Sequence, residues 1–343
     1  MRIGINGFGR IGRAVARVLL ERGGHEIVHI NDINPDTNNL AYLLNYDSIY
    51  GRLAPEVRAE SSTLLVGGKA ISVSHESKIS TVAWADKGVD VVVEATGVKE
   101  NERLAKEMVR STKFPVFVTN ACPDADTTLL FGVSDKDYDP ARHKLVAMSI
   151  CDTNACAPIL KLLDEAYGID HGYITTLHPW LSYQNLMDGP SRSQSYPGAT
   201  HSHFALGRSS IGTLIPKPTT VVSACERALP HIQGKLQCMS YRVPTSIVST
   251  ADMVITVKKP VSDKDVLKLV EGAQAQMPNV LRVTGEPLIS LDYMKDSHSV
   301  IFDSRWLMVN AGHHIKMVLW YDNEWGYSSR VADGIDLYGR LRA

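Results

Sequence analysis

The first 150 residues alternate short apolar runs with amphipathic stretches. RIGING is a β-type run that ends in a glycine cluster. RIGRAVARVLLERGG follows, with Ile11, Val15, Val18 and Leu19 close to helical spacing and Gly23 and Gly24 stopping it. EIVHIND predicts a second strand. VDVVVEATG, FPVFVTN and KLVAMSI are too continuously apolar for strands with one wet face. Strands buried on both faces belong to parallel sheets covered by helices. Residues 1–150 are therefore expected to form a doubly wound parallel-sheet domain of the α/β Rossmann type.

After Cys151 the pattern changes. A helix is expected from roughly Thr153 to Tyr167, with Thr153 and Asn154 as its caps and Pro158 near its start. Longer β-type runs come next: HGYITTLHP, LQCMSYRVPTSIVSTADMVITVKK and HHIKMVLWYD. Among them only SDKDVLKLVEGAQAQM and SACERALP look helical. This predicts an α+β antiparallel-sheet domain over 151–320, the catalytic or substrate domain. Residues 181–216 lack periodicity and are rich in Ser, Gly, Pro and His, as functional loops often are. The tail EWGYSSRVADGIDLYGRL reads as a closing helix within 321–343.

A chain of 343 residues is long for one core, which supports two domains. Lys and Arg number 36 against 37 Asp and Glu, so charge argues for neither nucleic acid nor an anionic membrane as partner. Five scattered cysteines form no disulfide framework and fit a reducing compartment. No signal peptide or spanning segment is read, and a cytoplasmic location is expected.

GFGRIG places Gly7, Gly9 and Gly12 as G-x-G-x-x-G directly after a strand and at a helix start. Gly7 permits the tight turn, Gly9 lets a pyrophosphate approach the backbone, and Gly12 lets helix and strand pack closely. Asp32 ends the next strand, where a carboxylate binds ribose hydroxyls and repels a 2′-phosphate. NAD is therefore the expected cofactor.

Cys151 stands before a helix, whose free N–H groups favour a thiolate. His178 closes YITTLH and is the candidate base, so a thiolate–imidazolium pair is expected. Cys151, Cys156, His201 and His203 match no standard zinc spacing, and no metal is expected.

These residues stand within a wider set of motifs. INGFGRIGR, EATG, FGVSDKDYD, DGPS, YRVPT and WYDNEWGYS occur in this order from end to end. The chain thereby resembles the phosphorylating glyceraldehyde-3-phosphate dehydrogenases and the related erythrose-4-phosphate dehydrogenases. The resemblance implies Cys151 as nucleophile and His178 as base. It implies further cofactor contacts at Arg10, Ile11, Thr96 and Thr119. Asn323 would orient the nicotinamide carboxamide, with Tyr327 flanking it. Thr219, Arg208 and Arg242 would serve the substrate's anionic groups, and Asp152 lies beside the thiol. It also implies a homotetramer, with 181–216 near a neighbouring subunit's cofactor, and a C-terminal helix that returns to the NAD domain. The implied reaction is NAD-dependent oxidation of a small phosphorylated aldehyde through a hemithioacetal and a thioester, with phosphate as acyl acceptor.

The substrate side departs from that pattern. Ile150 replaces a Ser and Asp152 a Thr around the nucleophile. Leu181 and Tyr183 replace polar residues, whereas Gln184 is retained. Leu206 stands where a phosphate-binding Arg is expected, Thr220 replaces a Gly, and Lys99 replaces a Phe. Asp152 either raises the pKa of Cys151 or caps the helix and pairs with a cation. Arg192, Lys217, His201 and His203 are candidates for a rebuilt anion site. Two other readings therefore stand: the same chemistry on another aldehyde with water as acceptor, and a catalytically weak NAD-binding regulatory protein.

Overall fold

The computed structural model describes residues 1–342. The chain divides into two compact units. One comprises Met1–Leu129, Asp137–Ser149 and the chain from Ser328, and the other Leu130–Lys136 and Ile150–Tyr327. No helix among the described residues is long and apolar enough to cross a membrane.

The first unit is built on a nine-stranded sheet. Arg2–Asn6 lies in its interior, parallel to Glu26–Asn31 on one side and to Val91–Glu94 on the other. Val116–Val118, Leu145–Ala147 and Thr127–Thr128 continue one flank in parallel. On the other flank Lys69–Ser74 is parallel to Glu26–Asn31, but Thr63–Val66 and Val57–Glu60 close the sheet antiparallel. The central runs are buried on both faces: all four residues of Val91–Glu94 are buried. The antiparallel edge was not foreseen, because the apolar run of Thr63–Val66 is only Leu64, Leu65 and Val66, with half-buried and buried positions alternating. Helix Arg10–Arg22 follows the first strand and ends at Gly23. Strand order therefore reverses around Arg2–Asn6, and such a switch opens a crevice at the carboxyl ends of the strands.

The second unit holds a seven-stranded sheet in the order Ile215–Lys217, Leu236–Val243, Ile169–Pro179, Ser249–Val257, His314–Tyr321, Val300–Asn310, Leu281–Thr284. It is mixed rather than purely antiparallel. Ile169–Pro179 pairs in parallel with Leu236–Val243, and Leu281–Thr284 with Val300–Asn310. The long apolar run from Leu236 resolves into two strands with Ile169–Pro179 inserted between them. Val300–Asn310 escaped the sequence pattern because Asp303, Ser304 and Arg305 break its apolar alternation. Asp303 is nonetheless buried, held by Arg305 at 2.6 Å and by the Trp320 indole at 3.1 Å.

Helix Cys151–Tyr167 packs into this unit's core through Ala155, Ile159, Leu160 and Leu163, all fully buried. It starts two residues earlier than expected. Its N-cap is Ile150, which makes no side-chain cap bond, and the Asn154 side chain instead donates to the Ile150 carbonyl at 3.0 Å. A missing cap costs about 1 kcal/mol, whereas each buried Leu or Ile contributes about 1.5–3 kcal/mol. Packing therefore fixes where the helix begins. Pro158, the eighth helical residue, is interior rather than near the start, and it removes one helical hydrogen bond. Residues 181–216 are largely turns, with an isolated bridge between Arg192 and Thr200 and a short 3-10 turn at Phe204–Gly207. Only the last two residues join the edge strand Ile215–Lys217.

Candidate active site

Two clusters emerge from these sheets. The first lies along the carboxyl edge of four adjacent parallel strands, which deliver Gly7, Asp32, Thr96 and Thr119 just past their ends. Gly7 has φ +89°, and a Cβ there would meet the Thr96 amide nitrogen at 2.7 Å. A Cβ on Gly12 would run into the Gly7 carbonyl oxygen. Gly9 has open space around it and is the N-cap of Arg10–Arg22, with no side-chain cap and no acidic residue in the first turn. A helix start left open in this way suits an anionic group. The Asp32 carboxylate accepts from the Phe8 amide at 2.6 Å and the Asn34 amide at 2.9 Å, which ties it to the glycine turn. Thr119 donates to the Glu94 carbonyl. Arg10 pairs with Asp47 at 2.5 Å, and Ile11 is half-buried in the first helical turn.

Sequence reasoning missed Glu94. This buried carboxyl accepts from the Asn6 side chain and from both the hydroxyl and the amide of Thr96. Burial pushes it up to about 7, against the pull of those donors. Its place at the end of an apolar run, as the first residue of EATG, hinted at a special role without giving one.

The second cluster belongs wholly to the other unit. Cys151 opens its helix, half-buried, with Sγ 3.6 Å from His178 Nε2 and 3.4 Å from Asp152 Oδ1. His178 Nδ1 lies 2.8 Å from the Pro179 carbonyl. That oxygen can only accept, so Nδ1 carries the hydrogen and the Nε2 lone pair faces the sulfur. Asp152 is buried and points at the thiol, not away from it, and among the described residues no cation pairs with it. Tyr321 Oη donates to it at 2.9 Å, and Thr176, 3.4 Å away, reaches it as well as Ser240. The thiol, one Asp152 oxygen and the His178 nitrogen lie within 4.8 Å of one another, a donor set of metal-ligating type.

The surroundings of the pair run against the expected thiolate–imidazolium form. Burial, then the Asp152 carboxylate, push the Cys151 thiol well above its ordinary value. The Asp152 amide, which bonds the sulfur, acts the other way without prevailing. Burial, then the positive charge of Arg242, bring His178 down to about 4. Both shifts favour a neutral thiol facing a neutral imidazole.

The other predicted residues divide. Arg242 lies directly across from His178 in the parallel register. Thr219 follows the edge strand, and its carbonyl accepts from Cys238. Arg208 is exposed and pairs with Asp188 at 2.8 Å. Asn323 and Tyr327 are buried in this same unit, and the Asn323 Oδ1 has no hydrogen-bond partner. Cys156 is sealed in the core, away from solvent.

Comparison with known sequences adds an independent line. The glyceraldehyde 3-phosphate dehydrogenase C-terminal domain matches residues 150–323, and the NAD binding domain of the same family matches residues 1–102. The chain belongs to the glyceraldehyde-3-phosphate dehydrogenase family. It is 40% identical to the glyceraldehyde-3-phosphate dehydrogenase of Kitasatospora aureofaciens, over 98% of each chain. It is 37% identical to glyceraldehyde-3-phosphate dehydrogenase 2 of Streptomyces avermitilis, over 97% of each. It is 38% identical to the Geobacillus stearothermophilus enzyme, over 97% of this chain and 96% of that one.

NAD is accordingly the cofactor of this family member. The residues at the strand ends fit its phosphates: two glycines have no room for a Cβ and one helix start is open.

Proposed function

We propose that this chain oxidises a small phosphorylated aldehyde, of the glyceraldehyde-3-phosphate type, through a covalent adduct on Cys151, with inorganic phosphate as acyl acceptor. The observation that carries the reading is the 3.6 Å approach of Cys151 Sγ to a His178 nitrogen whose tautomer is set by Pro179. Gly7, Gly9, Arg10, Ile11, Gly12, Asp32, Thr96, Thr119, Asn323 and Tyr327 would hold NAD, which supplies the acceptor for the electron pair leaving the aldehyde carbon.

The protein's own steps follow from the neutral pair. The thiol gives its proton to His178 Nε2 as sulfur bonds the carbonyl carbon, and that proton passes to the carbonyl oxygen to give the hemithioacetal. The Cys151 backbone N–H, free at the helix start, steadies the oxygen's charge meanwhile. His178 Nε2 next takes the hydroxyl proton as the carbon is oxidised to a thioester. A phosphate oxygen attacks the thioester carbon, the C–S bond breaks, and the proton on His178 returns to sulfur. Arg242 and Thr219 would position anionic groups, and Asp152 sets the reactivity of the thiol.

A second reading has one observation in its favour. Arg208 is turned to Asp188, and Leu206 brings no charge, which favours water over phosphate as acceptor. Mixing the protein with NAD and glyceraldehyde-3-phosphate, with and without phosphate, decides between them. Phosphate-dependent NADH and an acyl phosphate product support the first, and free acid without phosphate dependence supports the second. NAD binding without turnover would leave the regulatory reading.

The family reading also carries a homotetramer acting in the cytoplasm. Leu186, Met187, Tyr196 and Phe204 are 61–84% exposed along residues 181–216, the kind of apolar surface a neighbouring subunit covers. Light scattering of the purified chain tests the assembly, and a monomer would refute it.

A further inference from the structure

Register places two cations on the nucleophile's face. Along the edge, Lys217 lies opposite Ser240, and Ser240 opposite Thr176. In the adjoining row Ile215 lies opposite Arg242, and Arg242 opposite His178. Residues directly opposed across strands share a face, as do residues two apart along one strand. Lys217, Ser240, Thr176, Arg242 and His178 therefore look the same way. Thr176 and His178 on that face reach Asp152 and Cys151.

Among the described residues neither cation has a counter-charge paired with it. Arg242 is 7% exposed, yet no carboxylate pairs with it. Its guanidinium bonds Tyr183 Oη at 3.3 Å, and its Nε is buried without a partner. A buried unpaired cation is costly, and five donors serving one hydroxyl leave most of the fork unused. Lys217 donates only to the carbonyl of its neighbour Pro218. Burial and the repulsion of Arg242 bring Lys217 down to about 8, with Asp152, Cys238 and Cys151 pulling the other way. The two cations outweigh the single nearby carboxylate of Asp152.

We infer that Lys217 and Arg242 together seat a tetrahedral oxyanion beside Cys151, Lys217 supplying the charge that Leu206 lacks and Arg208 withholds. The inference rests on the dehydrogenase reading above and assigns to it a residue outside the family pattern. The oxyanion is a phosphate group, either free inorganic phosphate or the ester of the aldehyde. Arg242 offers the planar fork, and Lys217 a point charge beside it.

The test compares Lys217→Met and Lys217→Arg with the parent chain. Each charge-assisted contact to phosphate is worth roughly tenfold or more in affinity. Lys217→Met should raise KM for inorganic phosphate by about that factor, with KM for NAD unmoved and Lys217→Arg restoring it. A rise confined to the phosphorylated aldehyde would assign the seat to the ester group. The parent's phosphate KM should climb as pH passes about 8, where Lys217 loses its charge, and Lys217→Arg should abolish that climb. Unchanged KM for both ligands in Lys217→Met overturns the inference. If no turnover is found at all, the dehydrogenase reading fails separately. Phosphorus-31 line broadening of inorganic phosphate by the parent, lost in Lys217→Met and regained in Lys217→Arg, still decides the seat. Equal broadening by all three chains refutes it.

Discussion

The carboxyl edge of the parallel sheet and the face around Cys151 are built by different means. At the first, backbone does the work: glycines with no room for a Cβ, an uncapped helix start, and an aspartate tied to the turn. At the second, side chains do it. Cys151 comes from a helix, and Thr176, His178 and Arg242 from paired strands far along the chain. Tyr321 reaches in from a further strand. A backbone site tolerates little change in shape and much change in surrounding charge. A side-chain site does the reverse. Of the substitutions that separate this chain from its family pattern, Ile150 and Asp152 flank the nucleophile and Tyr183 bonds Arg242, whereas Lys99 lies in the parallel-sheet unit.

The largest expected effect strikes the second region alone. Cys151→Ser should lower NADH production at least about a thousandfold, because no other nucleophile faces His178. Affinity for NAD, followed by fluorescence, should stay near that of the parent. Substantial turnover in this variant would remove Cys151 from the mechanism.

Gly12→Ala strikes the first region alone. Its Cβ meets backbone, the Gly7 carbonyl oxygen, so the turn must move. Strain of about 1–3 kcal/mol is expected there, or up to roughly a hundredfold in NAD affinity. Gly9→Ala is the control, since nothing lies within 4 Å of its Cβ: stability should hold. Parent-like NAD binding by Gly12→Ala would mean that the turn is not the cofactor's cradle.

The contrast explains what the sequence made legible. Gly7, Gly9, Gly12 and Asp32 are readable because a backbone cradle demands fixed residue types at fixed short spacing. Helix Arg10–Arg22 and the central parallel strands were visible for the same local reason. The orientation of Asp152 was not, since Tyr321 and Thr176 determine it from 169 and 24 residues away. Lys217 was only one of four candidates until the register set it one row from Arg242. The shifts that favour a neutral Cys151–His178 pair were hidden too, because burial, their largest cause, is reported by no spacing. The pairing of Arg208 with Asp188 was hidden because Asp188 lies in a loop without periodicity.

Glu94 tests the first region by pH. Its folded-state value is raised to about 7 from 4.5, so the folded chain holds a proton that the unfolded chain releases between those values. Stability from this group is present below about pH 4.5 and is lost as pH rises through 7. The full loss is of the order of 3–4 kcal/mol. Glu94→Gln should flatten the decline between pH 5 and 7 in urea unfolding. An undiminished slope in that variant would place its origin elsewhere.

The smallest effect is the most informative about the second region. Two causes raise the Cys151 thiol, burial first and the Asp152 carboxylate next, and they predict different responses to substitution. Asp152→Thr keeps the burial and removes the charge. Below the thiol's pKa the thiolate fraction grows tenfold for each unit by which that pKa falls. Iodoacetamide labelling of Cys151 at pH 8 should therefore quicken roughly tenfold, a modest reading of a charge a few ångströms away across a dielectric near 20. Asp152→Asn should behave alike, and the three rates should converge at high pH. A merely structural role for Asp152 would instead change labelling by the same factor at every pH, since access to the sulfur does not titrate. Tyr321→Phe sharpens the distinction. It removes the hydroxyl that donates to Asp152 but leaves the carboxylate beside the sulfur, so labelling at pH 8 should stay slow. If Asp152→Thr labels no faster than the parent, burial alone governs the nucleophile. The aspartate beside it would then have no part in how this site differs from its family pattern.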